Sequence, residues 1–166
     1  MSTERIEVQR AIAAEPERIF AILRTPTGHV AIDASGMLMS ASGAPVNGVD
    51  DRFVVHMDRE SLQDFPLGEY DVTVVITAFD ENREIAWTVD GAIQPPIGHV
   101  YGYRLEPIEG GTMVTSYYDW SNIHDDYRSF DMFPIISEAN QRATLGILAR
   151  TVAPGRPRPD LPTESS

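Results

Sequence analysis

Histidine and tyrosine alternate in one short segment of the chain, where His99, Tyr101 and Tyr103 are spaced two residues apart. Side chains with this spacing lie on the same face of a β-strand, so the pattern predicts a strand that presents all three rings together. Imidazole titrates near neutral pH, and a phenol hydroxyl can both donate and accept a hydrogen bond. The three residues are therefore candidates for general acid–base catalysis, with His99 the strongest. A histidine at the rim of a sheet beside two core tyrosines would give the same pattern.

Two further segments place aromatic side chains at alternate positions. Trp87 follows Ile85 in one segment, and Tyr118 precedes Trp120 in the other. Aromatic rings on the same face of adjacent strands would form one wall of the protein interior. Their hydroxyl and indole N–H groups need hydrogen-bond partners when buried, and protein, water or a ligand could supply them.

The last predicted helix carries small residues that would face this wall, because Ala139, Ala143 and Gly146 recur at helical spacing. Large rings opposite small side chains leave room for a flat apolar ligand, so the sequence predicts an internal cavity. In the alternative interpretation, the rings fill the interior and the small residues let the helix pack closely. The predicted ligand-binding residues are Trp87, His99, Tyr101, Tyr103, Tyr118, Trp120, Ala139 and Ala143.

The elements that must position these residues follow from the hydrophobic periodicity. Residues 5–14 alternate as a strand, and the helix that follows is broken at Thr25–Gly28. Alternating segments then continue, separated by a predicted loop at Arg59–Glu69 and by turns such as Asp80–Arg83. Residues 135–152 have the spacing of a long helix.

This order predicts an α+β fold in which antiparallel strands connected by short turns pack against a C-terminal helix. We expect one domain over residues 1–153. The tail at residues 154–166 is rich in proline, so we expect it to be disordered.

The amino-acid inventory excludes several kinds of chemistry. The chain has no cysteine and no lysine, and all 13 basic residues are arginine. Disulfides, thiolate metal sites, thiol nucleophiles, Schiff bases and P-loops are therefore excluded. His29 and His56 do not have metal-ligand spacing, and the sequence contains neither a nucleophile-elbow serine nor a glycine-rich dinucleotide loop. We therefore expect neither a metal nor a cofactor.

The charge of the chain bears on its partners. Thirteen basic and 25 acidic residues give a net charge of −12, which disfavours nucleic acid and anionic lipid surfaces. The N-terminal residues lack a signal-peptide pattern, and no long apolar run predicts a membrane span, so we expect a cytoplasmic protein. Both a monomer and a homodimer are compatible with the sequence.

Five segments resemble, in order and spacing, those of the START-related (SRPBCC) superfamily, with its polyketide cyclase/dehydrase-like branch closest. They are Ala13–Phe20, Thr25–Gly36, Phe79–Trp87, Gly98–Pro107 and Gly111–Ser121, and the resemblance covers residues 4–152. It implies a helix-grip fold, in which a curved antiparallel sheet of about six to seven strands wraps around a long C-terminal helix. Two short helices would follow the first strand. The superfamily includes enzymes, carriers and regulators, so the resemblance specifies fold better than function.

Three hypotheses for function remain open at this stage. The leading one is a protein that binds a hydrophobic small molecule, such as a lipid or a polyketide-like aromatic, between the sheet and the C-terminal helix. The second is a cyclase/aromatase or dehydratase in which histidine and tyrosine transfer protons. The third is a regulatory or co-chaperone-like module, which would have a filled interior and an exposed apolar patch.

Overall fold

A computed structural model of the chain describes residues 4–58, 68–91, 94–129 and 132–160. Most of the Arg59–Glu69 loop predicted from the sequence lies outside these residues. In the part of the chain that the structure describes, no helix is long and apolar enough to cross a membrane. In chain order the elements are β1 (Arg5–Ile12), α1 (Pro16–Leu23), α2 (Pro26–Ile32), β2 (Leu38–Ser42), β3 (Arg52–Asp58), β4 (Glu69–Asp80), β5 (Glu84–Gly91), β6 (Val100–Ile108), β7 (Gly111–Asp119), a single 3₁₀ turn (Asp125–Tyr127) and α3 (Glu138–Val152).

The seven strands form one antiparallel sheet in the order β1-β7-β6-β5-β4-β3-β2. All neighbours except the β1–β7 pair are consecutive in the chain, as expected for strands joined by short turns. Asn82 has φ 63° in the turn between β4 and β5, and Gly110 has φ 83° in the turn between β6 and β7. The α+β class, the seven-stranded sheet and the two short helices after the first strand are confirmed. The architecture is the helix-grip fold.

The core lies between the inner face of the sheet and the helices. It contains the inward-facing residues of successive strands together with the apolar stripes of α1 and α3. Complete burial of one such aliphatic or aromatic side chain contributes about 1.5–3 kcal/mol. The larger fully buried side chains are Val8, Ile12, Ile19, Phe20, Leu23, Val55, Ile76, Ile85, Tyr118, Leu145 and Leu148.

The C-terminal helix differs from its prediction in both start and orientation. Ser137 caps α3 by accepting a hydrogen bond from the backbone N–H of Asn140 (3.1 Å), so the helix begins three residues later than expected. The stripe that enters the core is Gln141, Leu145, Leu148 and Val152. The prediction that the Ala139 and Ala143 face turns inward is wrong, because both residues are exposed to solvent. An offset of two residues rotates a helix by about 200°, which exchanges its two faces.

Helix α2 packs against α1 at a glycine. A Cβ on Gly28 would collide with the backbone carbonyl of Ile22, so only glycine permits this approach. The close approach brings the next residue, His29, into the interior.

The disorder expected for residues 154–166 stays a prediction, and the described residues 154–160 make several contacts. The Arg156 N–H donates to the carbonyl of Ala153, and Arg158 forms two hydrogen bonds with the carboxylate of Asp160. Pro159 lies against the turn at Gly110. Residues 161–166 lie outside the described part of the chain.

Candidate functional site

A cavity of about 130 Å³ lies between the inner face of the sheet, α2 and the first turns of α3. Apolar cavities on the order of 150 Å³ can hold one benzene-sized ring. The sheet contributes Val55, Met57, Val74, Trp87, Val89, Tyr101, Tyr103 and Ser116 to its lining. The helices and the segment after α2 contribute His29, Ile32, Asp33, Met37, Asn140, Gln141 and Thr144.

Three aromatic residues occupy directly opposed positions on adjacent strands. Trp87 pairs with Tyr101 across β5 and β6, and Tyr101 pairs with Tyr118 across β6 and β7. The Trp87 and Tyr101 rings are stacked with centroids 5.9 Å apart, and the Tyr101 and Tyr118 rings are stacked at 4.6 Å. The register therefore builds a continuous aromatic wall, of which Trp87 and Tyr101 border the cavity.

His29 completes this wall from the helical side. Its ring meets that of Trp87 edge to face, with centroids 4.7 Å apart, and that of Phe53 at 5.1 Å. The Nε2 atom lies 2.7 Å from the carbonyl oxygen of Leu23, which can only accept, so Nε2 carries the proton. Burial lowers the pKa of His29 to about 4. The residue is therefore neutral at pH 7, and its Nδ1 can serve only as an acceptor.

Tyr101, Tyr118 and His99 form a chain of hydrogen-bonding groups behind the cavity wall. Tyr101 and the backbone of Ile135 are polar neighbours of the Tyr118 hydroxyl, and both oppose the rise that burial causes in its pKa. The Tyr118 hydroxyl oxygen and His99 Nδ1 lie 2.8 Å apart, within hydrogen-bond distance. Thr88 holds the histidine backbone in place, because its hydroxyl donates to the His99 carbonyl (2.7 Å).

The pKa values of His99 and Tyr118 keep both side chains neutral at pH 7. Burial lowers the pKa of His99 to about 4 and raises that of Tyr118 above its usual value near 10. Transfer of a proton from Tyr118 to His99 is therefore strongly unfavourable. In the resting protein both groups are neutral, and His99 is a poor general base.

Tyr103 and Asp33 meet at another part of the cavity. Burial and the negative charge of Asp33 both raise the pKa of Tyr103, so it remains a neutral phenol. The Asp33 carboxylate accepts hydrogen bonds from the N–H groups of Ser35 (3.0 Å), Gly36 (3.0 Å) and Leu38 (3.3 Å). These bonds fix the segment after α2 against the cavity.

Gln141 brings a primary amide from α3 to the cavity. The side chain is only 4% exposed, and its Nε2 donates to the Ser116 hydroxyl at 3.4 Å. Its Oε1 is buried and has no hydrogen-bond partner among the described residues. An unpaired buried amide oxygen costs about 1–3 kcal/mol relative to a paired one.

The residues predicted as a site fall into three groups. Trp87, Tyr101 and Tyr103 border the cavity, whereas His99 and Tyr118 lie behind its wall. The other three residues lie outside the cavity lining. Trp120 is half-buried just beyond the end of β7, and Ala139 and Ala143 are exposed. Whether a ligand contacts any of these residues stays a prediction.

Several polar residues of the cavity were not predicted from the sequence, among them His29, Asp33 and Gln141. Gln141 could have been found, because it begins the apolar i, i+4, i+7 stripe of α3. His29 and Asp33 have no comparable signal, since the close packing of α2 on α1 positions them. Among the residues that the structure describes, no group of three or more histidine, aspartate or glutamate side chains could hold a metal ion.

No protein-family model matches the sequence, and no curated protein matches it. Solved structures do match. A protein from Chromobacterium violaceum is 15% identical, covering 90% of this chain and 96% of its own, with a TM-score of 0.65. Truncated norcoclaurine synthase from Thalictrum flavum is 13% identical, covering 93% and 96%, with a TM-score of 0.60. The Aha1 dimer from Colwellia psychrerythraea is 22% identical, covering 92% and 98%, with a TM-score of 0.57. These similarities establish the helix-grip fold.

Proposed function

We propose that this protein binds a hydrophobic small molecule in the cavity between the sheet and α3. The observation that carries the proposal is the cavity itself, bordered by Trp87, Tyr101 and aliphatic side chains. Burying apolar ligand surface there would contribute about 25 cal/mol per Å², less the cost of ordering the ligand. The similarity in fold to norcoclaurine synthase is compatible with such a pocket.

The cavity volume narrows the class of ligand. Sites for drug-sized molecules usually measure about 300–1,000 Å³. A cavity of about 130 Å³ instead fits one aromatic ring or a similarly small apolar group. A lipid chain or a multi-ring polyketide would have to widen it, so we take a single-ring compound as the first ligand to test.

Calorimetric titration with toluene tests the proposal. The variant Val89→Phe should fill part of the cavity and weaken toluene binding at least tenfold, because Val89 borders it. Val54→Phe is the matched control, since Val54 is exposed on β3 and lies outside the cavity lining. Absence of toluene binding to the native protein, or equal effects of the two variants, would contradict the proposal.

A second candidate function is proton-transfer catalysis of the cyclase/aromatase or dehydratase type. It is favoured by the position of Tyr101, which borders the cavity beside the hydrogen-bonded pair of Tyr118 and His99. Since His99 is a poor base, we assign it a positioning role and Tyr101 the hydrogen bond to a substrate carbonyl. Membership of the polyketide cyclase-like branch would accord with this chemistry.

Exchange of the α-hydrogens of acetophenone for deuterium, followed by NMR, tests the second candidate. With Tyr101 donating to the carbonyl and solvent hydroxide removing the α-proton, catalysis predicts exchange faster than in buffer, with the acceleration lost in Tyr101→Phe and reduced in His99→Ala. Exchange at the buffer rate, with toluene still bound, would leave binding as the function. The third possibility, a regulatory module, has less support because the interior is not completely filled.

A further inference from the structure

Hydrogen-bond donors and acceptors both border the cavity, and Gln141 Oε1 is an acceptor without a partner among the described residues. His29 Nδ1 can only accept, because Nε2–H is committed to the Leu23 carbonyl. The Asp33 carboxylate already accepts hydrogen bonds from the N–H groups of Ser35, Gly36 and Leu38. A ligand that carries a donor would satisfy Gln141 Oε1.

Gln141 is the residue best placed to receive that donor. It borders the cavity, and its amide is held on one side only, by the 3.4 Å bond from Nε2 to the Ser116 hydroxyl. Rotation about the last side-chain torsion of glutamine is soft, so the amide can turn Oε1 toward a cavity ligand at little cost. A ligand hydroxyl would then satisfy an acceptor that the folded protein leaves unpaired.

A neutral ligand fits this lining better than a cation. The Asp33 carboxylate, the acidic group of the lining, is already bound to the N–H groups of Ser35, Gly36 and Leu38. An ammonium ion would lose its hydration on entering a cavity bordered mainly by aromatic and aliphatic side chains. A neutral donor, such as a hydroxyl on an aromatic ring, avoids this cost.

Resting on the proposed function, we infer that the cavity selects single-ring aromatic molecules bearing a neutral hydrogen-bond donor, that is, phenols, and that Gln141 Oε1 accepts this donor. The aromatic ring lies along the wall formed by Trp87 and Tyr101. Gln141 is thus a specificity-determining residue for the ligand.

Phenol and toluene test this inference, because they have the same shape and differ by a hydroxyl in place of a methyl group. In a purely apolar cavity toluene should bind about tenfold or more tightly than phenol, since an unpaired buried hydroxyl is costly. With Gln141 as acceptor, phenol should bind at least as tightly as toluene. Calorimetry gives both dissociation constants under the same conditions.

Gln141→Leu should weaken phenol binding about tenfold and leave toluene binding unchanged or stronger. Gln9→Leu is the matched control, because it makes the same substitution at an exposed residue of β1 that lies outside the cavity lining. This control should not alter the ratio of the two dissociation constants. If Gln141→Leu does not fold, Gln141→Met removes the same acceptor with an unbranched side chain.

Three outcomes would overturn the inference while leaving the proposed function intact. They are a tenfold preference of the native protein for toluene, a phenol-to-toluene ratio unaffected by the Gln141 substitution, and tighter binding of pyridine than of phenol. Pyridine can only accept, so its preference would mean that the amide presents its NH₂ group to the ligand. Failure of both toluene and phenol to bind would overturn the proposed function and this inference with it.

Discussion

The ring of Tyr101 lies flat on the ring of Tyr118, with centroids 4.6 Å apart and planes inclined by only 6°. The two residues are directly opposed on β6 and β7, and the Tyr118 hydroxyl lies 2.8 Å from His99 Nδ1. One ring borders the cavity and the other is completely buried. This pair therefore connects the surface available to a ligand with the buried imidazole of His99.

Removing the Tyr118 hydroxyl should be more damaging than removing that of Tyr101. Tyr118→Phe leaves the buried His99 Nδ1 without its partner, so we expect a loss of about 1–3 kcal/mol in the free energy of unfolding. Tyr101→Phe leaves the Tyr118–His99 bond intact, so the loss should stay below about 1 kcal/mol. Urea unfolding of both variants measures the difference, and equal losses would argue against a buried hydrogen bond between Tyr118 and His99.

Acid should destabilise the protein through its buried histidines. His29 and His99 have a pKa of about 4 in the folded state, against 6.5 for an unperturbed imidazole. Between pH 6.5 and 4 the unfolded chain binds protons that the native protein excludes, so stability falls as the pH falls through this interval. At pH 5 the loss relative to pH 7.5 should be about 2 kcal/mol for each histidine.

Comparison of the urea unfolding free energies at pH 7.5 and pH 5 measures this loss. His29→Gln should reduce it by about 2 kcal/mol. His56→Gln is the control, because His56 is exposed and its pKa is raised by Asp71 and Glu69, so its removal should not reduce the loss. If the free energy of unfolding of His29→Gln falls as much between pH 7.5 and pH 5 as that of the native protein, His29 does not titrate as described.

Two helical glycines should respond in opposite ways to alanine. Gly146 lies within α3, and a Cβ there would meet no atom within 4 Å, so Gly146→Ala should stabilise the protein by about 0.5–1 kcal/mol. Gly28→Ala places a Cβ against the Ile22 carbonyl and should destabilise it by about 1–3 kcal/mol. It should also weaken toluene binding, since α2 carries His29. Thermal unfolding compares the two, and a destabilising Gly146→Ala would contradict the observed orientation of α3.

The strand-borne part of the site was predictable from the sequence, whereas the helix-borne part was not. Alternation in β5 and β6 gave the inward faces of Trp87, Tyr101 and Tyr103, because side chains repeat every two residues along a strand. On α3 the prediction relied on the small residues Ala139 and Ala143 rather than on the apolar stripe through Leu145 and Leu148. It therefore assigned the wrong face of the helix to the interior.

The contribution of α2 depends on tertiary packing that no local pattern encodes. His29 enters the cavity because Gly28 permits close contact with α1, and the resulting burial sets its protonation state. The basicity of His99 also differs from expectation, because burial in the folded protein sets its pKa. A histidine with pKa near neutrality suits proton transfer, but desolvation inside the folded protein makes it a weak base.

The fluorescence of Trp87 on addition of toluene tests the central claim most directly. In the variant Trp120→Phe, Trp87 is the single tryptophan and borders the cavity, so its emission should shift saturably with the dissociation constant measured by calorimetry. In Trp87→Phe, the remaining Trp120 lies outside the cavity lining and should not respond. An unchanged Trp87 emission at toluene saturation, or an equal response from Trp120, would contradict ligand binding between the sheet and α3.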